Sequence, residues 1–239
     1  MVVDKSRVEV ANLSVHYSDF SRSIRKPWGE RINYCGLSDI NFDIHDGDIV
    51  GLIGRNGSGK STLLKAISGL IKPSGGEIIT RGRVILLAGT DPGFDPSISG
   101  IRNVKLMSSA YGVKDEDLSS FMESVIDFAS IGDAIFRPFK GYSSGMKGKL
   151  GFGFITALKP DVLLIDETLG VGDLEFRERA KKRVREFIQR SGCVIISTHS
   201  LGLARELCNR GLVLETSNLV SDGEIEEAML AYRGILKGV

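Results

Sequence analysis

Cysteine is scarce in this sequence. The three present, Cys35, Cys193 and Cys208, are odd in number, widely separated and form no CxxC pair. That pattern argues against a disulfide framework or a zinc site and suits a reducing compartment. Long apolar runs are missing too. None approaches the ~20 residues of a membrane-spanning helix, and the opening MVVDKSRVEV lacks the apolar core of a secretion signal. The expectation is a protein that stays in the cytoplasm. Neither sign of charge is in excess: Lys plus Arg number 31 against 30 Asp plus Glu, a net charge of +1. No chain-wide electrostatic footprint for nucleic acid therefore exists. The densest basic stretch, RERAKKRVREFIQR at 177–190, is interleaved with acids. Glu178 with Lys182, and Glu186 with Arg190, stand four apart, the spacing of helix-surface pairs, so the stretch reads as a solvated face.

What is present begins with a composition, 42 % hydrophobic and 26 % charged, that should fold as an ordinary globular protein. Its 239 residues allow one large domain or two small ones. VEVANLSV from Val8 and DINFDI, with Ile40, Phe42 and Ile44, alternate apolar and polar as half-buried strands do. Between them residues 18–33, SDFSRSIRKPWGERIN, are polar, basic and broken by Pro27 and Gly29. The reading is an exposed loop, with a contact surface for a partner or lipid headgroups as the alternative. DIVGLIG at 48–54 is an apolar strand ending in glycine, and helical spacing follows through Leu63, Leu64, Ile67 and Leu70. KPSGGEI at 72–78 is a turn leading into a strand, and GRVILL at 82–87 is a further strand. Leu118, Phe121, Met122, Val125, Ile126 and Ala129 then mark an amphipathic helix. DVLLID (161–166), CVIIST (193–198) and GLVLE (211–215) are further apolar strands. Strands alternating with helices predict an α/β fold with a mainly parallel sheet covered on both faces. The core should comprise about 1–90 and 155–239, with a mostly helical insertion between them.

Four stretches carry chemistry. GRNGSGKS at 54–61 fits G-x-x-x-x-G-K-[ST] and stands between a strand and a helix, where such a loop cradles phosphates. Backbone N–H groups of Gly54, Arg55, Asn56, Gly57, Ser58 and Gly59 would surround a nucleotide's phosphates. Lys60 would reach the β and γ phosphates and Ser61 would ligate Mg²⁺, with Thr62 next in the helix. DVLLIDE ends in two acids at the edge of a parallel sheet: Asp166 would hold Mg²⁺, directly or through water, and Glu167 would accept a proton from attacking water. His199, after the strand CVIIST, is either a structural histidine or a donor to the γ-phosphate. GYSSGMKGKL at 141–150 is either a turn before an ordinary helix or an anion site at a helix N-terminus.

In order, GRNGSGKST, YSSGM, VLLIDE, LGVGD and STHS resemble the nucleotide-binding subunit of an ATP-binding cassette transporter, YSSGM standing where that family has LSGGQ. The resemblance covers nearly the whole chain. It implies a single P-loop NTPase domain over 1–239, with a RecA-like core and a helical subdomain at about 91–154. It implies ATP and Mg²⁺ as cofactors and a homodimer paired head to tail. Ser143, Ser144 and Gly145 of one copy would grip the γ-phosphate held by Lys60 of the other, and Asp173 would cross the interface. Tyr17 resembles the aromatic residue that stacks on adenine, with Tyr34 as the alternative. YSSGM with GKLGFGF, DETLGVGDLEF and GFDPSISGIRNV resembles the exporters of capsular polysaccharide, O-antigen and teichoic acid. That implies a peripheral subunit on the cytoplasmic face of the inner membrane, bound to permease subunits that carry the polysaccharide, with no nucleic acid partner. One departure stands out. Most such ATPases place a glutamine after the strand read as GRVILL, but the only glutamine here is Gln189, and Gly89 falls at that place. Two rival readings remain, a soluble cassette ATPase acting on nucleic acid or ribosomes and a non-hydrolysing ATP-binding scaffold.

Overall fold

The computed structural model describes residues 6–23, 26–88, 91–166 and 174–237. Two β-sheets dominate. β1 (Val8–Ser23), β2 (Lys26–Ile44) and β4 (Gly75–Thr80) form an antiparallel sheet in the order β2-β1-β4. The second sheet has the order β5-β6-β7-β3-β8-β9, built from β3 (Ile49–Ile53), β5 (Val84–Leu87), β6 (Val162–Ile165), β7 (Cys193–Ser197), β8 (Arg210–Glu215) and β9 (Asn218–Glu224). The pairings β6 with β7, β7 with β3 and β3 with β8 are parallel, and β9 joins β8 antiparallel. The parallel strands match the continuous apolar runs, since a strand covered on both faces has no polar side.

The chain divides into two compact units, one of Met1–Leu86, Asp161–Glu167 and Gly192–Val239, the other of Leu87–Pro160 and Thr168–Ser191. In the first, helix α1 (Lys60–Ile67) sets Leu63, Leu64 and Ile67 into a core with Leu13, Ile40, Ile44, Leu52, Ile195 and Leu212. Each such side chain contributes about 1.5–3 kcal/mol by leaving water. α1 is shorter than its apolar spacing suggests: Gly69, at φ 78°, turns the chain and leaves Leu70 69 % exposed. Across the sheet, Gly51 and Gly211 face each other in register on β3 and β8. A Cβ on Gly211 would collide with Ala228 of α7 (Ile225–Lys237), so the missing side chain lets that helix lie close.

Residues 18–23 and 26–33, expected in an exposed loop, are strand. β1 runs on to Ser23 and β2 starts at Lys26, with Tyr17 opposite Tyr34, Phe20 opposite Arg31 and Ser23 opposite Lys26. Polar composition concealed this, because a two-stranded ribbon can form from backbone pairing without an apolar face.

The second unit holds α2 (Gly100–Ala110), α3 (Leu118–Ala129), α4 (Ser144–Ala157) and α5 (Leu174–Gln189). Its interior is aromatic: Phe94, Tyr111 and Phe121 each meet Phe154 edge-on at 5.3–5.5 Å, and Phe128 stacks on Phe152. The predicted amphipathic helix is present as α3, with Phe121, Val125 and Ala129 fully covered. Helix α5 corrects the solvated-face reading. Arg179 and Arg183 lie over the Phe128 ring at 5.3 and 5.4 Å. Arg179 donates to the Phe128 carbonyl at 2.8 Å, Arg183 to Ser124 Oγ at 2.5 Å, and Arg190 to the Thr156 carbonyl. Arg179 and Arg183 therefore tie α5 to α3, and Arg190, just past its end, reaches α4, while Lys181 pairs outward with Glu178 at 2.7 Å. Among the described residues no helix is long and apolar enough to cross a membrane.

Candidate functional site

The first unit builds its site at the ends of its parallel strands. β6, β7 and β3 lie side by side, with Ile165 opposite Ile196 and Leu52 opposite Ser197. Whatever follows them therefore leaves from one edge of the sheet. Residues 54–59 follow β3, Asp166 follows β6, and Thr198 and His199 follow β7. Along the sequence these residues are spread over more than 140 positions; the sheet gathers them at one edge.

The loop after β3 takes a conformation that depends on its glycines. Gly57 and Gly59 take left-handed φ values of 83° and 109°, open to glycine and costly to other residues. Gly59 has a second reason to be glycine: a Cβ there would lie 2.7 Å from the Gly36 carbonyl oxygen and 2.8 Å from Leu37 Cδ2. Lys60 opens α1, is 9 % exposed, and donates from Nζ to the carbonyls of Gly54 at 2.7 Å and Arg55 at 2.9 Å. Its ammonium is thus held over the mouth of the loop instead of swinging in solvent. No acidic residue stands in the first turn of α1, so the positive end of the helix is not neutralised from within that turn. Ser61 and Thr62 follow Lys60 in the helix.

Tyr17 and Tyr34 stack on each other, centroids 5.1 Å apart and planes 21° apart, as cross-strand partners on β1 and β2. Tyr17 Oη shares a hydrogen bond of 3.1 Å with Thr62 Oγ1, and Tyr34 is 51 % exposed. Gly36 makes this possible: a Cβ there would meet Tyr17 Cε2 at 2.7 Å and Thr62 Cγ2 at 3.3 Å. Gly36 is not marked in the sequence itself, because one glycine inside a strand is a weak cue until the facing side chains are known.

His199 is exposed and lies one residue before Ser200, whose Oγ caps α6 (Leu201–Leu207) by accepting from Leu203 N–H. Thr198 N–H donates to the Leu52 carbonyl at 3.3 Å, tying the end of β7 to β3. Ser61 and Asp166, expected to hold Mg²⁺, offer a hydroxyl and a carboxylate. Such hard oxygen donors suit Mg²⁺, which keeps several waters and needs few protein ligands. Glu167, Asp173, the LGVGD run at 169–173 and Gly89 lie outside the described residues.

In the second unit, Ser143 caps α4: its Oγ accepts from Met146 N–H at 3.2 Å. Ser143 and Ser144 are exposed. A Cβ on Gly145 would meet nothing nearer than Ser143 Oγ at 4.0 Å, so packing within the chain does not require glycine there. By contrast, a Cβ on Gly153 in the same helix would meet the Val125 carbonyl oxygen at 3.2 Å, a glycine explained by its neighbour α3.

A glycine-rich loop between strand and helix, with its lysine fixed across the loop and a carboxylate ending the strand two places along the same sheet, defines a P-loop nucleotide-binding protein. More narrowly, the chain belongs to the ABC transporter family, whose domain matches residues 37–170, more than half its length. It is 38 % identical over 221 residues to the teichoic acids export ATP-binding protein TagH of Listeria innocua, covering 92 % of this chain and 66 % of that one. The chain thus spans just under two thirds of that relative's length. It is 36 % identical over 200 residues to the O-antigen export system ATP-binding protein RfbB of Klebsiella pneumoniae, covering 84 % of this chain and 81 % of that one. The fold is that of an ATP-binding subunit of an ABC transporter, at a TM-score of 0.75, 23 % identity and 96 % and 95 % coverage. It is also that of a dimeric ATP-binding cassette in a post-hydrolysis state with ADP and Pi, at 0.67, 19 % identity and 91 % and 98 % coverage. The α/β fold with a mainly parallel sheet, expected from the alternation of strands and helices, is thereby shown.

Proposed function

We propose that this chain is the ATP-hydrolysing subunit of an exporter that moves a lipid-linked polysaccharide across the cytoplasmic membrane. The observation that carries the ATPase half is the convergence of the 54–61 loop, Asp166 and His199 at one edge of the parallel sheet, with Lys60 held across the loop. The relatives named for teichoic acid and O-antigen export support the cargo half.

In this reading the N–H groups of 54–59 and the α1 N-terminus bind the phosphates, and Lys60 leans on the β and γ oxygens. Mg²⁺, when bound, neutralises charge on the β and γ phosphates; Ser61 and Asp166 would hold it. Glu167 takes the proton of the attacking water, and His199 donates to the γ-phosphate and orients that water. Tyr17 and Tyr34 together form the aromatic wall for adenine. Ser143, Ser144 and Gly145 serve the ATP of a second copy. An unhindered Gly145 beside an exposed capped helix start supports this, because the open space there suits a phosphate from outside the chain. Asp173 belongs to the same dimer interface, and the subunit sits peripherally on the cytoplasmic face, against permease subunits. The place near Gly89 is left without the glutamine that related ATPases use there.

Two variants test the halves separately. Lys60→Ala is expected to abolish ATP binding or turnover by the purified protein, and full activity would sink the ATPase assignment. Glu167→Gln in the native host should deplete surface polysaccharide while lipid-linked glycan accumulates inside. An unchanged surface with no build-up would remove the cargo assignment and leave the ATPase standing.

A further inference from the structure

The two-residue turn between β8 and β9 lies against the nucleotide loop, and its backbone is unusual for the residues it contains. Glu215 pairs with Asn218, so Thr216 and Ser217 make the whole turn. Both have left-handed φ values, 46° and 67°. That is the pattern of a type I′ hairpin turn, for which Asn-Gly or Asp-Gly is the favoured pair. A β-branched threonine is among the residues least suited to this region, and neither position is glycine. Strained backbone persists only where its surroundings over-determine it.

The surroundings here are the nucleotide loop and its shelf. Ser217 N–H donates to the Ser58 carbonyl at 3.2 Å, in the loop itself. Ser217 Oγ donates to the Cys35 carbonyl at 3.0 Å, and the Ser217 carbonyl accepts from Ser38 N–H at 2.8 Å. Asn218 Nδ2 closes the turn on the Thr216 carbonyl at 2.8 Å. Residues 34–38 are the stretch of β2 on which Gly59 rests and from which Tyr34 and Gly36 meet Tyr17 and Thr62. One residue therefore bonds both the phosphate loop and the strand that carries Tyr34.

We infer that Thr216 and Ser217 form a brace that fixes the phosphate loop and the aromatic strand in one mutual register, so that Ser217 is a positioning residue for the nucleotide. The inference rests on the ATP reading above. Because three of the four bonds use the backbone, the effect of a substitution should follow its tolerance of left-handed φ more than its side-chain chemistry.

The test is Mg·ATP affinity by calorimetry on the whole chain, measured well below each variant's melting temperature. Ser217→Gly keeps the turn and loses one hydroxyl bond, and a roughly twofold weaker Kd is expected. Ser217→Val opposes the left-handed turn and should weaken Kd roughly tenfold, the equivalent of about 1.4 kcal/mol. Ser217→Ala should fall between, and it serves if the valine protein does not fold. Glycine rescuing what valine loses identifies the backbone brace. Equal Kd in all variants, with or without lowered melting temperature, would reduce the turn to a structural hairpin and overturn the inference. No binding by the unaltered chain would overturn the ATP reading and this one with it.

Discussion

At the scale of single residues, the site is governed by which atoms are held and which are left free. Lys60 is held by two carbonyls, and Tyr17 by Thr62 at one end and Tyr34 across its face. With Tyr34 half exposed, its outer face is the open surface of the stacked pair. Tyr34→Ala is therefore expected to weaken ATP binding roughly fivefold, about 1 kcal/mol of aromatic contact. Tyr34→Phe should bind as the parent does, and titration with a fluorescent ATP analogue distinguishes the two. The cysteines yield a second prediction. Burial pushes the Cys193 and Cys208 thiols up to about 12, while Cys35 is exposed. A thiol reacts as thiolate, so at pH 8 both buried groups are neutral as well as shielded, and they would ionise only as pH rose toward 12. Alkylation of the folded chain should label Cys35 alone, and denaturant should release all three; mass spectrometry of the labelled protein counts them.

At the scale of elements, two segments took roles that their composition does not announce. The described parts of the basic stretch form a β-ribbon, and the charged helix α5 is fastened to α3 by Arg179 and Arg183, with Arg190 just past its end bonded to α4. In Arg183, burial lowers the pKa of the guanidinium from its ordinary value, consistent with a side chain drawn partly out of water over the Phe128 ring. Removing it takes away a ring contact and a short bond to Ser124. Arg183→Ala should cost about 1–3 kcal/mol of stability. The exposed Lys182→Ala, one residue away, should cost less than about 0.5 kcal/mol. Chemical denaturation of the two variants decides between a fastened and a solvated helix. If both lose little, the arginine contacts carry no weight.

At the scale of the whole molecule, the proposal joins two chains. An exposed helix start at Ser143 and Ser144, and a glycine at 145 that no neighbour demands, make sense when something outside the chain completes them. Gly145→Asp adds a carboxylate where phosphate is proposed to dock. It should abolish turnover and ATP-induced dimerisation while leaving the melting temperature within about 2 °C of the parent, as surface changes do. Light scattering with ATP and thermal melting measure both. Turnover at the parent's level would remove the signature role from this helix.

Much of this was legible from sequence. The strand, glycine loop and helix around Lys60 are a local pattern, and local spacing fixes local backbone: glycines where φ must be positive, apolar runs where both faces are covered. Asp166 and His199 were legible as ends of apolar strands. Polar composition misled at residues 18–33, because backbone pairing leaves no mark on side-chain pattern, and at α5, because an arginine bonded to a neighbouring helix has the same letter as one in water. Only the tertiary structure decided which strands lie side by side, and so that β6, β7 and β3 bring their ends to one edge. It alone showed Gly36 making room for Tyr17, and the turn at Thr216 and Ser217 reaching Ser58. Those contacts join residues more than 150 positions apart in the second case, and no periodicity along the chain encodes a pairing across it.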